Sequence, residues 1–219
     1  MGQGRRKETC KNFQAMKTDL KWVIVRIDGK IAAISTDYRM LADISRRLAY
    51  EGKTSAPGKG GPRNPVSYQS ISAETVGFEE IWKLRKEATW DDLLLFGTEF
   101  QKKVWKKLYD LTHSYSASDK EARLISYSDF AELCQNRAGV RAVAHAIGLN
   151  PVSVIIPCHL VVPKESIDKI RGIQQRAEST IFKGEDLCLG SILADTAIDF
   201  GEYVLGKELK RALITLDLT

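Results

Sequence analysis

Cysteine and histidine are scarce in this chain of 219 residues: four cysteines (Cys10, Cys134, Cys158, Cys188) and three histidines (His113, His145, His159). The cysteines stand far apart and none forms a Cys-x-x-Cys pair, which speaks against a disulfide framework or a structural zinc site and for a reducing interior. No metal site is expected. Long apolar runs are missing too, none approaching the length of a membrane span. The basic start, Met1 to Thr18, lacks the apolar core of a signal peptide, and Arg6 stands where a myristoylation signal wants Ser or Thr. These absences predict a cytoplasmic, intracellular protein with no membrane attachment. Acidic residues are outnumbered, 28 against 33 Lys and Arg, giving a charge of +5 and a pI near 8.9. Such a balance permits binding to a polyanion without demanding it.

The length accommodates one large or two small domains, and the pattern along the chain divides near residue 95. Residues 1–20 read as a loose basic arm. Trp22 to Ile27, Asp28-Gly29 and Lys30 to Ile34 read as a β-hairpin, since Asp-Gly is a strong two-residue turn signal. Asp37 is placed to cap a helix with Leu41, Ile44 and Leu48 on one face. Glu51 to Val66, which holds much of the Gly and Pro, reads as a loop. Ile81 to Leu95 reads as helical, with Trp82 and Trp90 as packing residues. The expected first unit, residues 1–95, is thus a small ββα piece.

The second unit, residues 96–219, is mostly helical, so the fold class expected is α+β. Thr98 is placed to cap a helix with Phe100, Val104, Trp105 and Leu108 on its buried side. Lys102, Lys103, Lys106 and Lys107 on the other side suit either solvent or phosphate. Ser126-Tyr127-Ser128-Asp129 fits a capping box in which Asp129 answers the Ser126 amide. The helix it opens runs through Phe130 and Leu133. A turn at Gln135 to Gly139 and a helix from Val140 to Ile147 complete a helix-turn-helix. Small residues crowd its second helix: Ala138, Gly139, Ala142, Ala144 and Ala146. Such a helix can come close either to its own protein or to a narrow groove.

Residues 150–162, Asn-Pro-Val-Ser-Val-Ile-Ile-Pro-Cys-His-Leu-Val-Val, follow directly. The apolar run Val154 to Ile156 reads as a buried strand delivering Cys158 and His159. Burial raises a thiol's pKa, whereas a nearby imidazole can take its proton and leave a nucleophilic thiolate. A DNA-reading element leading into a buried Cys-His pair points to chemistry on a nucleobase.

At these residues the chain resembles the O6-alkylguanine-DNA alkyltransferases, whose acceptor signature is Pro-Cys-His-Arg-Val; here it reads Pro157-Cys158-His159-Leu160-Val161. The similarity extends back through Asn150, Arg141, Ser126-Tyr127 and Gly97 to Trp105. It resumes at Tyr203-Val-Leu-Gly206 and at Lys210 to Asp217. The resemblance implies a helical alkyltransferase domain that takes an alkyl group from guanine O6 in double-stranded DNA onto Cys158, once per molecule, acting as a monomer. It implies His159 as the base, Asp217 as its orienting carboxylate and Asn150 as a brace. Tyr127 would crowd the target's 3′ phosphate, Arg141 would fill the gap left by the flipped nucleotide, and Ala142 would face the minor groove. Pro157, Tyr203, Val161 and Val204 would line the guanine pocket, the last two through backbone groups. Three departures stand out: Leu160 for arginine, Asp217 for glutamate, and a long interval before Asp217. The shorter Asp217 suggests a bond to His159 that needs a water or a shifted helix. The extra segment, about 163–199, either packs as a surface excursion or lies over the pocket. Rival readings are a non-catalytic lesion-binding protein, a cysteine hydrolase and a regulatory DNA-binding module; Cys158 itself argues against the first and last, and the missing nucleophile elbow against the second.

Overall fold

The computed structural model describes residues 20–36, 70–114, 124–180 and 192–218. The basic arm up to residue 19, the helix expected after Asp37, the loop Glu51 to Val66, Cys10 and Cys188 lie outside the described residues. The expected hairpin is present: β1 (Trp22–Ile27) pairs antiparallel with β2 (Lys30–Ser35). Asp28 and Gly29 both have positive φ, 48° and 80°, the pattern of the tight turn that matches strand twist. Alternate residues of β1 point to opposite faces, so Trp22 and Ile24 join one apolar cluster while Val23, Val25 and Ile27 join another with Phe96.

A third strand, β3 (Ile71–Val76), pairs with the other edge of β1, giving the order β2-β1-β3. Its sequence, Ile-Ser-Ala-Glu-Thr-Val, shows no apolar alternation because the strand is almost wholly exposed. Backbone pairing and the Arg26–Glu74 ion pair at 3.2 Å hold it in place.

The helix expected over Ile81 to Leu95 is shifted and shorter: α1 spans Phe78–Glu87. Glu80 reaches back to the Gly77 amide at 3.1 Å and starts it early. Thr89 ends any continuation, because its amide and hydroxyl both donate to Asp92, at 2.8 and 2.7 Å, and close a separate 3-10 turn over Trp90–Asp92. Both tryptophans pack as expected, Trp82 stacked on Phe78 (5.6 Å between centroids) and Trp90 tilted on Tyr109 (5.4 Å).

Helix α2 (Glu99–Ser114) opens with a full capping box: the Thr98 amide donates to Gln101 Oε1 (2.9 Å) and the Gln101 amide to Thr98 Oγ1 (3.2 Å). Val104, Trp105 and Leu108 are buried, but Phe100, in the first turn beyond the reach of the core, is 38% exposed. The lysine face is partly engaged by its own protein, Lys102 with Glu99 and Lys106 with Asp110. Strand β4 (Ile125–Ser126) then leads into α3 (Tyr127–Leu133). Ser126 caps α3 by accepting from the Asp129 amide at 3.1 Å. The reciprocal half differs from the expected box: the Asp129 carboxylate accepts from the Ser126 hydroxyl (2.7 Å), not from its amide.

Helix α3 stops in a Schellman motif. Gln135 takes φ 56°, its amide donates to Glu132 O (2.8 Å) and the Asn136 amide to Ala131 O (2.9 Å). Helix α4 (Val140–Gly148) follows after a 3-10 turn at whose end Gly139 lets the Asn136 side chain pack closely, since a Cβ there would lie 2.4 Å from Asn136 Oδ1 and displace it. The Trp105 indole donates to Ala146 O (2.8 Å) and fastens α2 to α4.

Beyond β5 (Val161–Val162), which pairs parallel with β4, come α5 (Lys164–Thr180) and α6 (Lys207–Leu218). The long interval forms a small core of its own. Ile170, Ile192, Leu193, Ile198 and Phe200 pack with Val162 of β5 and with Ile214 and Leu218 of α6. Its described part is therefore docked on β5 and α6 as an excursion. Arg211 of α6 clamps it by donating to the carbonyls of Leu193 (2.7 Å), Asp195 (2.9 Å) and Ile198 (2.5 Å). Among the described residues no helix is long and apolar enough to cross a membrane.

Arg211→Ala strands carbonyls that are partly removed from water. Its expected cost is about 1–3 kcal/mol of unfolding free energy, read from urea denaturation, with the midpoint lowered and the slope unchanged.

Candidate active site

The segment from Asn150 to Val162 is buried throughout, yet it is not the regular strand that its apolar run suggests. Ser153 bridges to Ile156, and the Ile156 amide donates to Val152 O at 3.1 Å, so the chain doubles back on itself. The turn places Val154 at φ 75°, a left-handed conformation that costs a β-branched residue on the order of 1–3 kcal/mol. Asn150 holds this shape. Its Oδ1 accepts from the Val152 amide (3.0 Å), and its Nδ2 donates to Ile156 O (2.8 Å) and to Cys158 Sγ (3.1 Å). An extended strand cannot bring residues 152, 156 and 158 to one carboxamide. From outside, the Ile34 amide of β2 donates to Pro151 O at 2.9 Å.

Pro157, at φ −84° and ψ 61°, is the centre of an inverse γ-turn closed by the Cys158 amide on Ile156 O (2.9 Å). Cys158 to Leu160 then form one 3-10 turn. The turn sends the Cys158 thiol toward Asn150 and the His159 ring toward α6. There His159 Nε2 meets Asp217 Oδ2 at 2.7 Å, a direct bond with no intervening water. His159 is fully buried, and its Nδ1 makes no hydrogen bond. The Tyr203 ring stands edge-on to the imidazole at 6.4 Å, with its hydroxyl buried near Ser153 and Cys158.

Two residues of this cluster were given no site role by the sequence. Lys210 is buried, donates to Val161 O (2.9 Å) and to Glu202 O (3.4 Å), and has Nζ 5.7 Å from the Tyr127 ring centroid. Its spacing of seven from Asp217 puts both on one face of α6, a signal present in the sequence. Arg85 of α1 forms an ion pair with Asp217 Oδ1 at 2.7 Å; nothing local to residue 85 announces a partner so distant in sequence.

Burial dominates the electrostatics. It pushes the Cys158 thiol up, against the pull of Asn150, Lys210 and Tyr203, so the resting sulfur keeps its proton. It pushes His159 down despite Asp217, leaving a neutral ring able to accept one. Burial would likewise raise Asp217, but His159 and Arg85 outweigh it and hold the carboxyl below its ordinary value. Lys210 is lowered by burial to about 8, so near neutrality it supplies positive charge beside the sulfur. Tyr203 is raised well above its usual range by burial and by Cys158.

Asn150, Pro157, Cys158, His159, Val161, Tyr203 and Asp217 are therefore brought into one neighbourhood, with Tyr127 half-buried beside Lys210. Val161 O already accepts from Lys210, which leaves its second lone pair. Val204 is 54% exposed in the loop before α6. Arg141 and Ala142 lie with Ala138 and His145 on the exposed side of the helix-turn-helix, whereas Ala146 faces the core.

Residues 99–181 match the family model of the 6-O-methylguanine DNA methyltransferase DNA-binding domain. A "Probable methylated-DNA--protein-cysteine methyltransferase" of Acanthamoeba polyphaga mimivirus is 45% identical over 75 residues, which are 34% of this chain and 45% of that protein. The inducible methylated-DNA–protein-cysteine methyltransferase of Bacillus subtilis is 40% identical over 77 residues, 35% of this chain and 38% of its own. The chain thus spans less than half the length of the curated relatives it matches. The crystal structure of O6-methylguanine-DNA methyltransferase from Pyrococcus kodakaraensis aligns over 91% of this chain and 92% of its own, with 19% identity and a TM-score of 0.45. The resemblance carried by the Pro157-Cys158-His159 motif is borne out over 99–181. Tyr203, Lys210 and Asp217 fall after that stretch and Arg85 before it.

Lys210→Met removes the positive charge that favours the thiolate. The pH at which Cys158 becomes reactive toward iodoacetamide is expected to rise, as followed by mass spectrometry of the Cys158 peptide across a pH series. An unchanged midpoint would mean that Lys210 serves the Val161 carbonyl alone.

Proposed function

We propose that this chain, whose residues 99–181 match a 6-O-methylguanine DNA methyltransferase DNA-binding domain, repairs DNA by moving an alkyl group from guanine O6 onto Cys158. The carrying observation is the pair of bonds around the acceptor, Asn150 Nδ2 to Cys158 Sγ at 3.1 Å and His159 Nε2 to Asp217 Oδ2 at 2.7 Å. With Nε2–H committed to Asp217, Nδ1 is the ring position open to a proton. His159 takes the thiol proton at Nδ1 through a water, and Asn150 and Lys210 stabilise the thiolate. Sulfur then attacks the alkyl carbon in line, an S–C bond forms as the C–O6 bond breaks, and the proton taken from the thiol passes from His159 through water to the departing base, which leaves as neutral guanine. The thioether is stable, so each molecule acts once, and no dissociable cofactor takes part.

The substrate is double-stranded DNA containing O6-alkylguanine, engaged by a monomer. The exposed Ala138, Arg141 and Ala142 face suits the minor groove, which admits a helix only where side chains are small. Extruding the nucleotide costs a few kcal/mol, less for a mispaired base. Arg141 fills the vacated stack and Tyr127 crowds the 3′ phosphate. Pro157, Tyr203 and the backbone of Val161 and Val204 hold the guanine.

Cys158→Ala is expected to abolish transfer from O6-methylguanine DNA while leaving duplex binding intact, measured by mass spectrometry and by a gel-shift titration. Label appearing on Cys134 instead would refute the acceptor assignment. Arg141→Ala should slow repair in duplex DNA far more than reaction with free O6-methylguanine, because a free base needs no place-holder in the stack. Equal losses on the two substrates would assign Arg141 to the fold.

A further inference from the structure

Asp217 divides its two oxygens between partners from two distant segments of the chain. Oδ2 meets His159 and Oδ1 meets Arg85, both at 2.7 Å, with the Asp217 side chain 3% exposed and that of Arg85 10%. Arg85 is not a surface residue that happens to fall nearby. Its guanidinium lies 4.7 Å above the Trp82 ring, and Trp82 is itself stacked on the buried Phe78. Helix α1 therefore presents a fixed cation to a carboxylate on α6. Leu160, at the place where the acceptor signature has arginine, is buried and brings no charge; the guanidinium beside Asp217 comes from α1.

We infer that Arg85 is a positioning residue of the acceptor site, holding Asp217 ionised and aimed at His159 so that the imidazole keeps its proton on Nε2 and its lone pair on Nδ1. The inference rests on the proposed alkyl-transfer reading and extends the site into the segment before the matched domain. A buried carboxylate deprived of its counter-charge tends to take up a proton. Protonated, Asp217 can donate to His159 Nε2, which moves the ring proton to Nδ1 and removes the base. Arg85 thus acts on the thiol at two removes, through Asp217 and then His159.

The groups that face this pair are Arg85 from α1, Lys210 from α6, Cys158 from the 3-10 turn and Tyr203 from the loop before α6. Of these Arg85 and Lys210 both oppose protonation of His159. Removing Arg85 while leaving Lys210 in place is therefore expected to let His159 retain a proton to higher pH.

The test compares the 219-residue chain with its Arg85→Gln and Arg85→Lys variants. In Arg85→Gln the second-order rate of methyl transfer from O6-methylguanine DNA should fall by about tenfold or more. The acid limb of its pH profile should move to higher pH, and the nitrogen-15 spectrum of His159 should lose its single Nε2–H form. Arg85→Lys, which keeps the charge, should recover most of the rate and the wild-type limb. The same variants are assayed with iodoacetamide on Cys158, a reaction that needs no DNA. If wild-type protein takes no methyl from the lesion but Arg85→Gln still slows iodoacetamide labelling and shifts its pH dependence, the substrate reading fails and the role of Arg85 stands. A thermally stable Arg85→Gln with wild-type pH limb and wild-type His159 spectrum overturns it. So does a rate loss that Arg85→Lys does not recover and that tracks a lowered melting temperature.

Discussion

A single carboxamide sets the shape on which the site depends. Asn150 closes residues 150–158 into a compact turn by satisfying a donor at Val152 and an acceptor at Ile156, and the hydrogen left over reaches the Cys158 sulfur. Its side chain is buried, where unpaired amide groups are costly, so these bonds favour one conformation strongly. The left-handed Val154 is strain that this closure sustains. The turn in turn decides where Pro157 points the chain and hence that the thiol and the imidazole leave the 3-10 turn toward different partners.

Once the thiol is buried, charge becomes the governing quantity. Burial keeps Cys158 protonated and His159 neutral, a resting arrangement in which the sulfur is a poor nucleophile. The means of ionising it are gathered nearby and differ in kind. Asn150 offers a hydrogen bond, Lys210 a positive field, and His159 a place for the proton. Asp217 and Arg85 orient that last component. The cluster draws on α1, the acceptor turn, the loop before α6 and α6 itself.

Much of this was legible in the residues because the informative signals are local. Asp28-Gly29 announces its turn, Thr98 and Ser126 announce the helices they cap, and the Pro157-Cys158-His159 motif with its flanking Asn150 announces where a buried thiol and imidazole lie. Signals failed where structure is imposed from a distance. Strand β3 has no burial and so no periodicity. Val154 to Ile156 is apolar because it is buried, and burial alone does not distinguish a strand from a turn. The shift of α1 turned on which acidic side chain reaches back to an amide, Glu80 at one end and Asp92 after the other. Lys210 was readable from its spacing with Asp217, whereas Arg85 became part of the site only through tertiary packing of α1 on α6.

Helix α6 is keyed on two adjacent faces. Lys210, Leu213 and Asp217 form the stripe toward the acceptor turn, and Arg211, Ile214 and Leu218, each one residue further on, form the stripe toward the inserted core. A helix gripped along stripes about 100° apart cannot roll about its own axis without breaking both grips. Any roll that swung Asp217 away from His159 would also draw Arg211 off three carbonyls. The inserted segment thus serves as a torsional stop, converting packing far from the sulfur into angular precision at the imidazole.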